Sequence, residues 1–231
     1  MLTAPQFWPD RLAAVRSRIE SAARRAGRDP ATVRLLAVSK QQPAAAVRAL
    51  AAAGQRDFGE NSLQEGLAKI EALADLSLTW HFIGRLQANK TRDVACRFAW
   101  LHTLDRDRIA ARLSAQRPHH APPLEVLLQV RLADEPGKGG VVPSELPRLA
   151  EIVAGLPRLR LRGLMCMPPP TDDEATQRGY FHRLRTLRDG LALGGLALDT
   201  LSMGMSADLE SAVAEGATIV RIGTAVFGPR T

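Results

Sequence analysis

The stretch Leu35-Leu36-Ala37-Val38-Ser39-Lys40 is a continuous apolar run that ends on a lysine. The run is too short for a helix, and such a run is typical of a strand that is buried on both faces. Pro43 follows almost at once and opens a helical pattern. A buried strand followed directly by a helix favours an α/β fold as the first hypothesis.

The same strand-and-helix unit recurs along the rest of the chain. Predicted strands cover residues 33–39, 56–60, 79–83, 98–103, 124–130, 159–164, 196–201 and 217–222. A helical pattern lies between each consecutive pair, and another over residues 6–26 precedes the first strand. This strict alternation predicts parallel strands joined by helical crossovers.

Some helix starts carry local signals. Residues 62–65 and 171–174 have the pattern of a capping box, in which side chains satisfy the first N–H groups of a helix. Ser206 is a predicted N-cap of the helix before the last strand. The helix after the third predicted strand is expected over residues 86–95.

Two architectures fit eight parallel strands, an open doubly wound sheet and a closed barrel. Closed barrels of this kind typically need about 250 residues, and this chain has 231. No linker or shift in composition divides it, and the N-terminal helix can fill the position of a helix after strand eight. We therefore predict one domain over residues 1–231, a single (β/α)8 TIM-type barrel with an extra N-terminal helix.

Composition limits the partners and the compartment. Hydrophobic residues make up 45% of the chain and charged residues 24%, which is ordinary for a soluble globular protein. The net charge is +7, but the arginines are scattered, so a solvated basic exterior is favoured over a nucleic-acid surface. Cys96 and Cys166 fit free thiols in a reducing compartment, and no leader or membrane span is evident. We expect a cytoplasmic protein without a membrane or metal site.

The carboxyl ends of the strands form the working face of such barrels. The predicted strand ends carry Lys40, Glu60, Asn61, His81, Arg85, Met165, Cys166, Ser202, Met203, Gly204, Arg221, Gly223 and Thr224. The loops after strands seven and eight commonly bind phosphate, and their glycines let backbone N–H groups approach an anion. A phosphate site that faces Lys40 suggests a phosphorylated aldehyde, because a neutral lysine amine forms an imine with an aldehyde.

Pyridoxal 5′-phosphate (PLP) has both of these groups and fits both ends of the predicted site. Arg221 would then face the pyridine nitrogen. Because arginine does not give up its proton, it disfavours protonation of the ring and weakens the ring as an electron sink. The chemistry is therefore expected to be restrained compared with that of a transaminase.

Several motifs, in their order along the chain, resemble the PLP homeostasis protein family (YggS/PROSC type). They are Ala37-Val38-Ser39-Lys40, Phe58-Gly59-Glu60-Asn61, Trp80-His81-Phe82-Ile83-Gly84, Leu86-Gln87-Ala88-Asn89-Lys90, and residues 201–210 and 220–228. The resemblance spans almost the whole chain. It implies a fold type III barrel that is similar to the N-terminal domain of alanine racemase.

The resemblance also implies roles for individual residues. It implies PLP on Lys40 as an internal aldimine, Asn61 beside the ring and Arg221 at the pyridine nitrogen. Around the phosphate it implies Ser202, Gly204, Gly223 and Thr224. It further implies a monomer in intracellular PLP (vitamin B6) homeostasis, which buffers PLP or delivers it to PLP-dependent apo-enzymes without established catalytic turnover.

Three other functions are open alternatives. A racemase-like PLP enzyme needs an acid or base on each face of the substrate carbon, yet the single tyrosine, Tyr180, lies in a predicted helix. A sugar-phosphate enzyme would use Lys40 as a Schiff-base lysine and would have no chromophore. A nucleic-acid module is suggested by charge alone and predicts salt-sensitive binding.

The remaining polar motifs are assigned no chemistry. Gly137-Lys138-Gly139-Gly140 is not a P-loop, because no serine or threonine follows the lysine, and is interpreted as a loop over the barrel mouth. His119-His120 alone does not make a metal site. Gln41-Gln42 and Arg85 depart from the family pattern, and Arg85 is expected to affect access to the ring or to a partner.

Overall fold

The computed structural model describes residues 7–133 and 139–228 of the chain. Within these ranges eight parallel strands form a closed barrel in sequential order. The strands are Arg34–Val38 (β1), Asp57–Glu60 (β2), Thr79–Phe82 (β3), Trp100–Leu104 (β4), Leu124–Gln129 (β5), Leu159–Met165 (β6), Thr200–Ser202 (β7) and Ile219–Ile222 (β8). The barrel closes where β1 pairs with β8, with Ala37 opposite Ile222. The predicted closed barrel is confirmed, and the open sheet is excluded.

Helices form the outer layer of the described structure. They are Trp8–Arg25 (α1), Ala44–Ala52 (α2), Leu63–Ala72 (α3), Thr91–Arg97 (α4), Asp107–Gln116 (α5), Leu146–Ala154 (α6), Glu174–Leu193 (α7), Leu209–Ala214 (α8) and Thr224–Phe227 (α9). The apolar face of α1, which includes Leu12, Val15 and Ile19, is buried, and α1 packs on α2, α8 and α9. Because α9 is only a single turn, α1 takes the outer position of a helix after β8, as predicted.

Side chains fill the inside of the barrel. Leu36, Trp100, Leu127, Met165 and Ile219 form a buried cluster that is separate from the larger core between strands and helices. Helices cover the outer face of the strands, so strands such as β4 are buried at every position. This burial explains why the strand sequences are mostly apolar and do not alternate between polar and apolar residues. Polar side chains inside the barrel, such as His81, His102 and Ser202, are buried and hydrogen-bonded to one another or to their neighbours.

The largest differences from the predicted bounds concern two elements. Strand β7 does not include residues 196–199, because the Leu198 N–H donates to the Leu196 carbonyl and turns the chain before the strand begins. Helix α4 does not include residues 86–90, of which Ala88–Lys90 form a 3₁₀ turn. Both differences lie at the ends of elements and leave the order of strands and helices unchanged.

The predicted capping box of α3 is wrong, although the helix begins where the pattern placed it. The Ser62 side chain makes no capping hydrogen bond. The Glu65 carboxylate does not bond to the helix start, because it accepts hydrogen bonds from the Gln41 N–H and from Lys69 Nζ. A tertiary contact therefore replaces the local one.

The other two predicted caps are also corrected by the structure. Helix α7 is capped by Asp173, whose carboxylate accepts the Thr176 N–H at 2.9 Å, so Thr171 is not the N-cap. A carboxylate at this position also interacts favourably with the helix dipole. Helix α8 begins after Asp208 and not after Ser206, because the turn that follows β7 continues for two further residues.

The loop after β5 is described only in part. Gly137 and Lys138, which carry the predicted loop over the barrel mouth, lie outside the described residues. On the C-terminal side of this loop, the Gly139 carbonyl accepts a hydrogen bond from the Gln129 side chain at 3.0 Å. No helix in residues 7–133 and 139–228 combines the length and the apolar character that a bilayer span requires.

Candidate functional site

A cavity of about 520 Å³ opens at the carboxyl ends of the strands. This volume falls within the range of about 300–1,000 Å³ that is common for small-molecule sites. The predicted site residues that line it are Lys40, Asn61, Arg221, Gly223 and Thr224. Ser202 and Gly204 do not line it. The structure therefore brings the ends of β1, β2 and β8 together, as expected for parallel strands of one barrel.

Other residues of the cavity were not assigned to the site from the sequence. They are Val38, Gln42, Ile83, Gly84, Met167, Met205, Ser206, Ala207, Phe227 and Gly228. Each lies at the end of a strand or in the segment that follows one, and this position is the signal that identifies them. Arg85 also lines the cavity and is exposed.

Lys40 follows β1 in a tight turn that is held from both sides. Gln41 has a φ of 59°, a left-handed conformation that is uncommon for residues other than glycine. Its N–H donates to Glu65, and the Ser39 hydroxyl donates to Glu60 at 2.6 Å. Ser39 is therefore hydrogen-bonded to a carboxylate of β2, and Gln41 to a carboxylate of α3. These bonds on both sides hold the half-buried Lys40 at the cavity.

Lys69 completes this cluster. The Lys69 and Glu60 side chains are 6% and 0% exposed, and Lys69 Nζ donates to Glu60 at 2.7 Å, to Glu65 at 2.6 Å and to the Ser39 carbonyl. Burial raises the pKa of Glu60, whereas the hydrogen bonds from Lys69 and Ser39 lower it. Among the described residues, Glu60 Oε2 has no hydrogen-bond partner. We call Ser39, Glu60, Glu65 and Lys69 the lysine-turn clamp.

Replacement of Lys69 by methionine is expected to lower the free energy of unfolding by about 3 kcal/mol, because it leaves a buried carboxylate without its counter-charge. Methionine keeps most of the side-chain volume, so the loss reports the charge and not a cavity. Urea denaturation of the unliganded protein measures it. Lys90→Met is the matched control, because Lys90 is half-buried and lies outside the clamp. Equal stability of the two variants contradicts this account of the clamp.

Asn61 is held at the edge of the cavity by the loop after β3. A Cβ atom at Gly84 would lie 2.0 Å from the Asn61 carbonyl oxygen, so only glycine fits there. The Gly84 carbonyl in turn accepts a hydrogen bond from the Thr103 hydroxyl at 2.6 Å. The loop and the Asn61 backbone therefore support each other.

Arg221 reaches the cavity from β8, and its side chain is buried. Nη1 donates to Ser202 Oγ and Nη2 donates to the Cys166 carbonyl, both at 2.8 Å. Burial lowers the pKa of Arg221, but a guanidinium remains protonated in proteins. No carboxylate of the described residues pairs with it directly. A buried cation of this kind beside a cavity is suited to bind an acceptor atom or an anionic group of a ligand.

Ser202 and Gly204 lie behind the cavity wall. Ser202 is fully buried, and the Gly204 carbonyl accepts the Arg221 backbone N–H at 2.9 Å. Gly204 has a φ of 93°, and a Cβ atom there would lie 2.5 Å from Ala212 Cβ. The part of this turn that faces the cavity is formed by residues 205–207. Contact of Ser202 and Gly204 with a phosphate therefore stays a prediction.

The thiol of Cys166 is expected to be unreactive in the folded protein, because burial raises its pKa to about 12. Cys96 is exposed. Since the thiolate is the reactive form, a thiol reagent at about pH 8 should modify Cys96 alone. Mass spectrometry is expected to find one label in the native protein and two after denaturation. Rapid labelling of Cys166 in the native protein would contradict the packing around Arg221.

Comparisons with known sequences identify relatives over nearly the whole chain. The family model described as alanine racemase, N-terminal domain, matches residues 11–231. A Pseudomonas aeruginosa protein named pyridoxal phosphate homeostasis protein is 61% identical over 221 residues, 96% of this chain and 95% of that protein. A protein of the same name from Escherichia coli (strain K12) is 51% identical over 222 residues, which is 95% of each chain.

Solved structures share the fold. The structure of PipY from Synechococcus elongatus with PLP bound matches with a TM-score of 0.86 and 40% identity, over 96% of this chain and 100% of that chain. Alanine racemase from Corynebacterium glutamicum matches with a TM-score of 0.68 and 18% identity, over 93% of this chain and 60% of that chain. At the latter identity the likeness concerns the fold alone.

Proposed function

Because the chain belongs to the family described as alanine racemase, N-terminal domain, we propose that it binds PLP and acts in PLP homeostasis. Relatives named for PLP homeostasis match it over nearly their full length. PipY, which was solved with PLP bound, shares its fold. The observation that carries the proposal is that Lys40, Arg221 and the turns after β7 and β8 line one cavity.

The residues of the cavity fit PLP. When bound, PLP supplies an aldehyde that reacts with a primary amine and a pyridine ring that withdraws electrons. Lys40, held by the lysine-turn clamp, is the primary amine that the described cavity presents. Arg221 is a buried donor without a carboxylate partner among the described residues, which suits the ring nitrogen. Asn61 lies at the cavity edge, where it would flank the ring.

The turns after β7 and β8 form the proposed phosphate site. Ser206, Ala207, Gly223 and Thr224 line the cavity. Helix α9 begins at Thr224 and is a single turn. The Val226 and Phe227 N–H groups donate to the Gly223 carbonyl, which leaves the N–H groups of Thr224 and Ala225 without a backbone partner among the described residues. Such N–H groups bind anions. We propose that Gly204 and Ser202 support this site without lining the cavity. Gly204 would allow the conformation of the turn after β7, and Ser202 would form part of the packing behind the cavity wall.

We propose a carrier and not a catalyst. A racemase needs a second acid or base opposite the lysine, but Tyr180 lies on α7, outside the barrel, and does not line the cavity. Arg221 disfavours protonation of the ring. The cavity is open to solvent, so bound PLP can pass to PLP-dependent apo-enzymes. We further propose that the protein is cytoplasmic, since Cys96 and Cys166 are both free thiols, and that it is a monomer, as the family resemblance implies.

Titration of the purified protein with PLP, followed by absorbance, tests the proposal. A saturable new absorbance band is expected, and the loaded protein should restore the activity of an apo-enzyme that depends on PLP. Racemisation of alanine by the loaded protein is not expected, and turnover at enzymatic rates would favour the racemase alternative. A protein that takes up no PLP overturns the proposal and favours a sugar-phosphate barrel.

A further inference from the structure

A continuous chain of hydrogen bonds crosses the inside of the barrel. It begins at Asp57, at the amino end of β2, and ends at Arg221 beside the cavity. The distances are 3.0 Å from Asp57 Oδ1 to His81 Nε2, 2.9 Å from His81 Nδ1 to His102 Nε2, 2.9 Å from His102 Nδ1 to Ser202 Oγ, and 2.8 Å from Ser202 Oγ to Arg221 Nη1. We call these five residues the interior chain.

With neutral histidines, one placement of protons satisfies every bond of the interior chain. Arg221 can only donate, so Ser202 accepts from it and gives its own hydroxyl proton to His102 Nδ1. His102 then carries its proton on Nε2 and donates to His81 Nδ1, and His81 donates from Nε2 to the Asp57 carboxylate. In all four hydrogen bonds the donor therefore lies on the Arg221 side and the acceptor on the Asp57 side. If His102 Nδ1 carried a proton, the Ser202 hydroxyl would lose its acceptor.

The surroundings favour neutral histidine rings and an acceptor role for Asp57. Both His81 and His102 are fully buried, and burial lowers the pKa of each ring. Trp100 stacks on His81 with ring centroids 5.3 Å apart, which excludes water from that face. At the amino end of the barrel, Arg34 pairs with Asp57 at 3.4 Å and stabilises the carboxylate. Asp57, at one end of the interior chain, is thus held in place as a hydrogen-bond acceptor.

We propose that Asp57 is a counter-charge of Arg221 and that His81 and His102 are positioning residues that connect the two. Among the described residues, no carboxylate contacts Arg221 directly. Burial lowers the pKa of Arg221, and the nearby charge of Asp208 raises it without a hydrogen bond. The polarised chain of hydrogen bonds links Arg221 to a second carboxylate, Asp57, at a distance. The functional consequence rests on the proposed function. The interior chain holds the Arg221 guanidinium as a donor to the ring nitrogen of PLP.

The placement of protons is tested in the unliganded protein by ¹⁵N NMR of the histidine rings. At about pH 7, His81 and His102 are expected to be neutral, with the proton on Nε2. His119 and His120 are exposed and serve as internal controls for rings outside the barrel. A proton on Nδ1 of either buried ring, or a positively charged ring at this pH, overturns the proposal. This spectrum needs no variant and no ligand.

The role of Asp57 is tested by Asp57→Asn and Asp57→Leu. Asparagine keeps an acceptor for His81, so the tautomers should persist, whereas leucine removes the acceptor and should let both buried rings populate the Nδ1–H form. Asp199→Leu is the matched control, because Asp199 lies at the same end of the barrel and pairs with Arg162 at 2.6 Å. Wild-type tautomers in Asp57→Leu overturn the proposal. If Asp57→Leu does not fold, the wild-type spectrum decides.

The link to Arg221 is tested with PLP and its 1-deaza analogue, in which a C–H group replaces the ring nitrogen. Asp57→Leu is expected to weaken PLP binding about tenfold, the effect of one hydrogen bond to a charged group, and to leave analogue binding unchanged. Equal losses for both ligands overturn the positioning role. If the wild-type protein binds neither ligand, the proposed function fails, while the histidine spectrum still decides the interior chain.

Discussion

Replacement of Lys40 by alanine is expected to abolish the retention of PLP through gel filtration. Lys40 is the only lysine among the described residues that line the cavity. Contacts of Arg221 and of the turns after β7 and β8 would remain, but these bonds are reversible and exchange with water. The absorbance band of the loaded protein should therefore be lost from the protein fraction. Absorbance of that fraction, together with its protein concentration, measures the effect.

Lys90→Ala is the matched control for this loss. Lys90 lies in the 3₁₀ turn before α4 and lines a neighbouring cavity, which also includes Asn61 and Arg85. The control should retain PLP as the wild type does. Full retention of PLP by Lys40→Ala would show that another group anchors the cofactor and would overturn the assignment of Lys40.

Replacement of Gly84 by alanine is expected to lower the free energy of unfolding by about 3 kcal/mol and to remove PLP binding. The new Cβ atom would lie 2.0 Å from the carbonyl oxygen and 2.8 Å from the carbonyl carbon of Asn61. Backbone atoms cannot move aside as a flexible side chain can, so the end of β2 and Asn61 must shift. Urea denaturation and PLP titration of the same preparation measure both effects.

The same substitution at Gly190 is expected to have the opposite effect, a higher free energy of unfolding. Gly190 lies within α7, and a Cβ atom there has no neighbour within 4 Å. Alanine should therefore stabilise the protein by about 0.5–1 kcal/mol through its higher helix propensity. A Gly84→Ala variant with the stability and PLP affinity of the wild type would show that the loop after β3 does not position Asn61.

The barrel could be predicted because its signals are local. Each buried strand is a short apolar run, and each crossover helix has its own periodicity, so the alternation can be followed along the chain. The convergence of Lys40, Asn61 and Arg221 then follows from geometry, since parallel strands of one barrel end on the same face. The turn after β7 was less well predicted, because β7 covers only Thr200–Ser202.

The supports of the site could not be predicted, because they depend on pairs that are distant in sequence. Glu65 has the local pattern of a capping residue, but it binds Lys69 and the Gln41 N–H instead. His102 and Ser202 come from opposite halves of the chain and meet only when the barrel closes. Patterns of residue type along a strand or helix contain no information about such partners.

The most direct test of the central claim is reduction of the PLP-loaded protein with borohydride, followed by peptide mass mapping. Borohydride converts a reversible link between a lysine amine and PLP into a stable one, so the attachment site is preserved through digestion. We predict the added mass of a reduced pyridoxyl phosphate on the peptide that contains Lys40 and on no peptide that contains Lys69 or Lys90. A loaded protein without a reduced adduct, or with the adduct on another lysine alone, would contradict the proposed site.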